Sequence, residues 1–225
     1  MCDVAACLWG ICVACSRTPV VSKDTLGIKD NLLIPSRWCL SGVRSPSKVQ
    51  GMKSIMVVLG SGGHTAEMLS LVKELDLAMY SPIHLVVAAT DSTSIPKLNA
   101  SNPELANASK VHLIRRSREV GQSFSSSVIT TVLATIDSVM VVIQVQPHLI
   151  LMNGPGTCLP ICVGGILQRC FFIGDPCIVY VESFCRVKSL SLTGKIVYHL
   201  ADKFIVNWPQ LLGAYPRAKY IGTIY

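Results

Sequence analysis

Apolar residues fall along this chain in two alternating rhythms. Ser54–Leu59 (SIMVVL) is a short continuous apolar run, the pattern of a strand covered on both faces. In the next segment, Thr65–Leu77, the apolar residues Met68, Leu69, Val72 and Leu75 recur at helical spacing. Ile83–Ala89 and Val111–Ile114 read as the second and third strands, His148–Met152 as the fourth, Cys177–Val181 as the fifth and Lys203–Val206 as the sixth. Between the third and fourth strands, Phe124–Val145 predicts a long helix with Val128, Val132, Ile136, Val139 and Ile143 on one side. Leu190–Leu200 predicts another helix. Strands alternating with helices argue for an α/β domain with a single doubly wound, mainly parallel, Rossmann-like sheet.

Residues 1–50 have a different texture. Val4 to Ser16 is uncharged but shorter than the roughly 20 apolar residues a membrane span needs. Residues 17–50 are polar, with Pro19, Pro35 and Pro46, and read as a linker. The expected organisation is an N-terminal extension or membrane-proximal segment over 1–50 and one globular domain over 51–225. Val128–Val145 carries one charge, Asp137, and is apolar enough to dip into a bilayer. A buried or half-buried domain helix is the preferred reading.

Composition sharpens the picture. Half of the 225 residues are hydrophobic and 15% are charged, against roughly 25% charged in an average soluble domain. Such an excess points to a surface that meets lipid or a partner. The net charge of +7 comes without a dense basic run, which argues against nucleic acid and for anionic headgroups or a phosphorylated substrate. Of the ten cysteines, Cys158, Cys162 and Cys177 lie in apolar stretches as small hydrophobes, a usage that fits a reducing compartment. Cys12 and Cys15 form a C-x-x-C pair with no second pair to complete a zinc site.

Four motifs fall just beyond strand ends, where open α/β sheets bind ligands. Gly60-Ser61-Gly62-Gly63-His64-Thr65 comes directly after the first strand. It lacks the third glycine of a dinucleotide fingerprint and the lysine of a P-loop. It is either a loop that lets a ligand approach backbone N–H groups or a tight strand–helix turn. His64 there is either a general base, kept neutral by the helix N-terminus, or a helix cap. Arg115-Arg116-Ser117-Arg118-Glu119-Val120, after the third strand, offers phosphate-binding guanidinium groups or is a solvated basic loop. Asn153-Gly154-Pro155-Gly156-Thr157 can bind sugar hydroxyls or simply turn and cap a helix. Glu182-Ser183, with Arg186 nearby, can hold a hydroxyl or orient a base; a Glu182–Arg186 ion pair is the structural alternative.

Together these motifs carry a resemblance. Val57 to Met68, Arg116 to Val120, Asn153 to Cys158 and Val179 to Ser183, continued by Gly194-Lys195, Asp202, Trp208-Pro209 and Tyr215-Pro216, resemble the membrane-anchoring subunits of the UDP-N-acetylglucosamine transferase of dolichol-linked oligosaccharide synthesis. This is the asparagine-linked glycosylation protein 14 family. The likeness covers about residues 53–225.

The resemblance implies half of a GT-B glycosyltransferase, similar to the N-terminal half of the MurG-type enzymes. A separate catalytic subunit would bind UDP-GlcNAc. This chain would bind the acceptor, GlcNAc-pyrophosphate-dolichol, on the cytosolic face of the endoplasmic reticulum membrane in protein N-glycosylation. The heteromer would be an inverting N-acetylglucosaminyltransferase, inactive as this chain alone, using neither cofactor nor metal. The residues implied on the acceptor side are Gly62, Gly63, Thr65, Arg116, Arg118, Asn153, Gly156 and Glu182, with His64 as the candidate base and the arginines on the pyrophosphate. The family carries an N-terminal membrane span that residues 1–50 do not supply. Two other readings stay open: a scaffold that recruits the catalytic chain without touching substrate, and an autonomous nucleotide-dependent enzyme.

Overall fold

The computed structural model describes residues 53–73, 79–116 and 124–222. The extension expected over 1–50, the Cys12–Cys15 pair and Arg118 lie outside them. Seven parallel strands form one sheet in the order β3-β2-β1-β4-β5-β6-β7. They are β1 (Lys53–Leu59), β2 (Tyr80–Ala88), β3 (Ser109–Ile114), β4 (Leu149–Asn153), β5 (Cys177–Val181), β6 (Lys203–Val206) and β7 (Ala218–Tyr220). The helices are α1 (Gly63–Lys73), α2 (Ser94–Ser101), α3 (Pro103–Ala108), α4 (Phe124–Val145), α5 (Cys158–Cys170) and α6 (Leu192–Val197).

The chain winds outward from β1 to β2 and β3, then returns to place β4 on the other flank of β1. The winding direction therefore reverses between β1 and β4. Their carboxyl ends part there and leave a crevice. Because Val58 pairs with Met152, Leu59 and Asn153 end the two strands one rung further on, and the loops after them open into the same space.

Each inner strand is apolar on both faces, as a sheet covered on both sides requires. Ile55, Val57, Leu59, Leu85, Val87 and Leu151 pack with Met68, Leu71 and Val72 of α1, Leu98 of α2 and Leu105 of α3. The alternate positions Met56, Val58, Val86, Ile150, Met152 and Ile178 pack with Val142 of α4 and with Cys158, Ile161 and Cys162 of α5.

Three features depart from the sequence expectations. In α4 the apolar stripe faces outward: Val128, Val132 and Ile136 are exposed, together with Ile129 and Met140. Among its described side chains the buried positions are Ala134, Ser138 and Val142. Gly164 of α5 explains this, because a Cβ there would lie 3.1 Å from Val142 Cγ2 and 3.4 Å from the Ser138 carbonyl. The two helices approach through small residues, and the bulky ones are left outside. α4 is thus long and apolar enough to cross a membrane, yet only 17% of its Val128–Val145 window is buried. Second, residues 94–108 form two helices and Ala218–Tyr220 a seventh strand, none of them predicted. Third, Cys158 and Cys162 are free and buried, as small hydrophobes should be, whereas Cys177, at the rim of the sheet where β5 begins, is disulfide-bonded.

Candidate active site

The site is built at the β1/β4 crevice. Gly60 ends β1 with no room for a side chain: a Cβ would sit 2.7 Å from Pro155 Cγ and 2.8 Å from His64 Cβ. Gly62 adopts φ +67°, the left-handed region that glycine enters without steric cost. The turn then releases the chain into α1 at Gly63. From inside, Thr65 fixes the turn. It is fully buried, its hydroxyl donates to the Gly60 carbonyl, and it lies 2.6 Å from Ser94 Oγ. The single Ser94 hydroxyl proton is within reach of two acceptors, Gly60 O at 2.9 Å and the carboxylate of Asp91. Two cations brace the loop from outside: Arg116 donates to Ser61 Oγ at 3.0 Å and Lys97 to the Gly62 carbonyl at 3.0 Å.

His64 stands on the first turn of α1 against the β4 loop. Its Nδ1 lies 3.1 Å from Asn153 Oδ1. Gly154 has φ +66°, and a Cβ there would overlap the imidazole, so the ring rests on bare backbone. An amide oxygen can only accept, so Nδ1 carries the proton and Nε2 keeps its lone pair.

One helical turn on, Glu67 Oε2 is 3.7 Å from His64 Nδ1. That is an ion-pair distance, too long for a hydrogen bond. The other oxygen, Oε1, accepts from Ser183 Oγ at 2.9 Å. Oε2 is buried without a hydrogen-bond partner, as is Asn153 Nδ2 beside it. The Glu67 carboxylate is the main cause that holds the His64 pKa above its ordinary value; burial works against it, and Asn153 and Glu182 add to the rise. The helix N-terminus, expected to keep His64 neutral, is thus opposed by the facing carboxylate, and the net shift is upward. Burial alone would raise the Glu67 carboxyl, but His64, Asn153 and Ser183 together hold it below the ordinary value.

Glu182 lies deeper, fully buried at the end of β5. It accepts from Ser183 N at 3.1 Å, Ser191 N at 3.0 Å and Ser191 Oγ at 3.1 Å. Ser191 in turn caps α6 by accepting from Gly194 N at 2.9 Å. Gly194 must lack a side chain, since a Cβ would overlap Glu182 Oε2. Burial raises the Glu182 pKa, and the Ser191 and Ser183 donors and Arg186 oppose it. Among the described residues no Glu182–Arg186 ion pair forms within 4.0 Å; Arg186 is exposed at the mouth of the site.

His64, Glu67, Gly154, Glu182, Ser183 and Arg186 line part of a cavity of about 290 Å³. The structure thus gathers Gly62, Gly63, His64, Asn153 and Glu182 around one crevice, with Arg116 on the outer side of the glycine loop. Thr65 is inside the wall, and Gly156 stands exposed on the β4–α5 turn. Two cysteines behind the site are inert: burial pushes the Cys162 thiol up to about 12 and Cys158 higher still; Cys185, free and exposed, lines the cavity itself. Glu67 is the site residue that sequence reading misses; Ser183 is legible as part of the Glu182-Ser183 motif, but its contact with Glu67 is not. The His-x-x-Glu spacing on one helix face was the available signal for Glu67.

Comparison with known proteins agrees with this architecture. The family described as "Oligosaccharide biosynthesis protein Alg14 like" matches residues 55–224. A rat relative named UDP-N-acetylglucosamine transferase subunit ALG14 is 43% identical over 94% of this chain and 100% of its own length. The human protein of that name is 48% identical over 76% of this chain and 82% of its own. A fission-yeast (Schizosaccharomyces pombe) relative with the same name is 41% identical over 82% and 89%. Among solved structures, MurG of Acinetobacter baumannii superposes with a TM-score of 0.54 at 18% identity, covering 76% of this chain and 45% of the MurG chain. That likeness establishes a fold shared with one part of a longer protein. By sequence, over residues 55–224, the chain belongs to the Alg14-like family of oligosaccharide biosynthesis proteins.

Proposed function

We propose that this chain is the acceptor-binding subunit of a heteromeric UDP-GlcNAc transferase. It recruits a catalytic subunit to the cytosolic face of the endoplasmic reticulum membrane. It also holds GlcNAc-pyrophosphate-dolichol while the second N-acetylglucosamine is added. One observation carries this reading: a histidine whose Nε2 is uncommitted among the described residues borders a cavity at the β1/β4 switch point, directly beside a glycine loop braced by Arg116 and Lys97. Supporting it are the names of the relatives, all transferase subunits.

In this reading the loop and Arg116 take the pyrophosphate, with Arg118 beside them in sequence. The terminal sugar enters the cavity past Gly62, Gly63 and Gly156. Asn153 and Glu182 fix the wall that receives it. The acceptor hydroxyl oxygen attacks the anomeric carbon of the donor GlcNAc. The new glycosidic bond forms as the bond from that carbon to the UDP phosphate oxygen breaks, and its electron pair leaves with UDP. The hydroxyl proton passes to His64 Nε2, and the anomeric configuration inverts. The partner subunit supplies the donor and stabilises the charge on UDP, so this chain alone is inactive.

The outward apolar face of α4 supports the membrane assignment. Its single acid, Asp137, is paired with Arg115 Nε at 3.1 Å, so the helix surface carries no uncompensated charge among its described residues.

Reconstitution of the full chain with the catalytic subunit tests the proposal. Turnover with UDP-GlcNAc and a GlcNAc-pyrophosphate-lipid should fall about a hundredfold or more in His64→Ala while the complex still assembles. Unchanged turnover would identify the chain as a scaffold.

A further inference from the structure

We infer that Glu67 is a positioning residue for His64: a carboxylate anchored by Ser183 that waits beside Nδ1 and stabilises the imidazolium formed when Nε2 takes the acceptor's proton. This inference rests on the proposed role of His64 as base and adds the group that makes that base strong.

Three geometric facts support it. Glu67 Oε1 is fixed by the Ser183 hydroxyl at 2.9 Å, across from a different strand end. Oε2, the oxygen turned toward the ring, is buried with no donor at full hydrogen-bond geometry; His64 Nδ1 and the equally unpaired Asn153 Nδ2 are the donors that face it. It stands 3.7 Å from Nδ1, whose proton is engaged by the neutral amide oxygen of Asn153 at 3.1 Å. A buried carboxylate oxygen without a donor is an unfavourable arrangement unless a state of the site supplies one. The imidazolium supplies the charged donor, stronger than the Asn153 amide beside it. When Nε2 is protonated the whole ring becomes cationic, and a few tenths of an ångström of movement converts the ion-pair distance into a charge-assisted hydrogen bond. Asn153 then serves the neutral ring, selecting the tautomer, and Glu67 the charged one. The two are divided as resting and reacting partners of one nitrogen. Glu67 touches no substrate in this scheme. It acts through His64, as the carboxylate of a triad acts through its histidine.

The division predicts a signature that a purely structural carboxylate would not leave. The test uses the full-length chain assembled with its catalytic subunit, with kcat and KM for the lipid acceptor measured from about pH 5.5 to 9, a range that brackets an ordinary histidine. Glu67→Gln should move the acid limb of kcat to lower pH by at least half a unit. It should also lower the plateau of kcat about tenfold or more and leave the acceptor KM within about twofold. Ser183→Ala, which frees the carboxylate without removing it, should shift the limb in the same direction by less. Glu67→Asp should recover part of the lost kcat. An acid limb that stays in place in Glu67→Gln, with His64→Ala inactive, would overturn the inference and leave the base assignment standing. A His64→Ala complex that turns over normally would instead overturn the base assignment itself. If Glu67→Gln fails to assemble, the Ser183→Ala profile decides, and an unmoved limb there counts against the inference.

Discussion

His64 Nδ1 and Asn153 Oδ1 lie 3.1 Å apart, although 89 positions separate them in the chain. The contact exists because β1 and β4 are neighbours in the sheet and end at the same level, so that a helix entered from one loop meets a side chain at the end of the other strand. Chain reversal at the switch point creates the site, and both residues are placed by main-chain geometry.

Gly154 tests how closely that geometry is held. Its φ of +66° disfavours any side chain by about 1–2 kcal/mol, and a Cβ would also overlap the His64 ring. Gly154→Ala should lower the melting midpoint and reduce turnover more than tenfold. Gly156→Ala, two residues on, meets nothing within 4 Å and should leave the melting midpoint nearly unchanged.

The Glu67 carboxylate sets the pH dependence, because it raises the His64 pKa above its ordinary value of 6.5. A base must be neutral to act, so kcat should fall as pH drops through the raised pKa. The half-maximal point should lie above pH 6.5 in a pH–rate profile. For stability the sign is opposite. The protonated ring is favoured in the folded state, so this contribution is complete below the unfolded pKa and disappears as pH rises through the folded one.

Arg116 should discriminate by phosphate. Arg116→Ala removes a guanidinium from the rim of the glycine loop. It should raise KM for the pyrophosphate-linked acceptor about tenfold or more, with a much smaller effect on an acceptor analogue that lacks the pyrophosphate. Equal effects on both would argue that Arg116 only braces Ser61.

The small knot around Ser191 is a stability feature rather than a catalytic one. Ser191→Ala removes the α6 cap and one donor to the buried Glu182 carboxylate. The expected loss is about 1–2 kcal/mol in unfolding free energy, read by denaturant titration.

Much of this architecture was legible in the sequence. Six strands fall where the apolar runs predict them; for the inner ones this is because a strand buried on both faces leaves few polar positions to blur the signal, whereas β3, at the sheet edge, is mostly exposed. The glycine loop and the Asn153 turn were legible for a related reason: glycines between a strand and a helix have few other uses. The helices over 94–108 escaped notice because α2 contains Pro96 and Asn99 and its N-cap, Thr93, makes no side-chain cap bond. Asn102, which accepts from Leu105 N at 3.0 Å, and Pro103 just behind it do mark the start of α3. β7, with only three residues, is too short for any periodicity. The orientation of α4 could not be read because its apolar stripe looks like a core face; the face that is buried, with Ala134, Ser138 and Val142, was chosen by Gly164, on another helix. Glu67 lay in plain sight three residues after His64, but Ser183, which anchors it, sits 116 positions away, and only the fold brings them together.

The exposed stripe of α4 should be the part of the domain most sensitive to lipid. Ile129→Asp, at a position 67% exposed, should leave folding intact and weaken flotation of the chain with anionic liposomes. Val142→Asp, at a fully buried position, should instead unfold the domain, since an unpaired charge would be placed in its core.

The most direct measurement is photo-crosslinking in the assembled complex, using a GlcNAc-pyrophosphate-lipid with a photoreactive group on its sugar and, separately, a photoreactive UDP-GlcNAc. The acceptor probe should label this chain, on peptides that contain Gly60–Glu67 or Asn153–Thr157, and the donor probe should label the catalytic subunit. Acceptor labelling confined to the catalytic subunit, or donor labelling of this chain, would contradict the division of substrates on which the account rests.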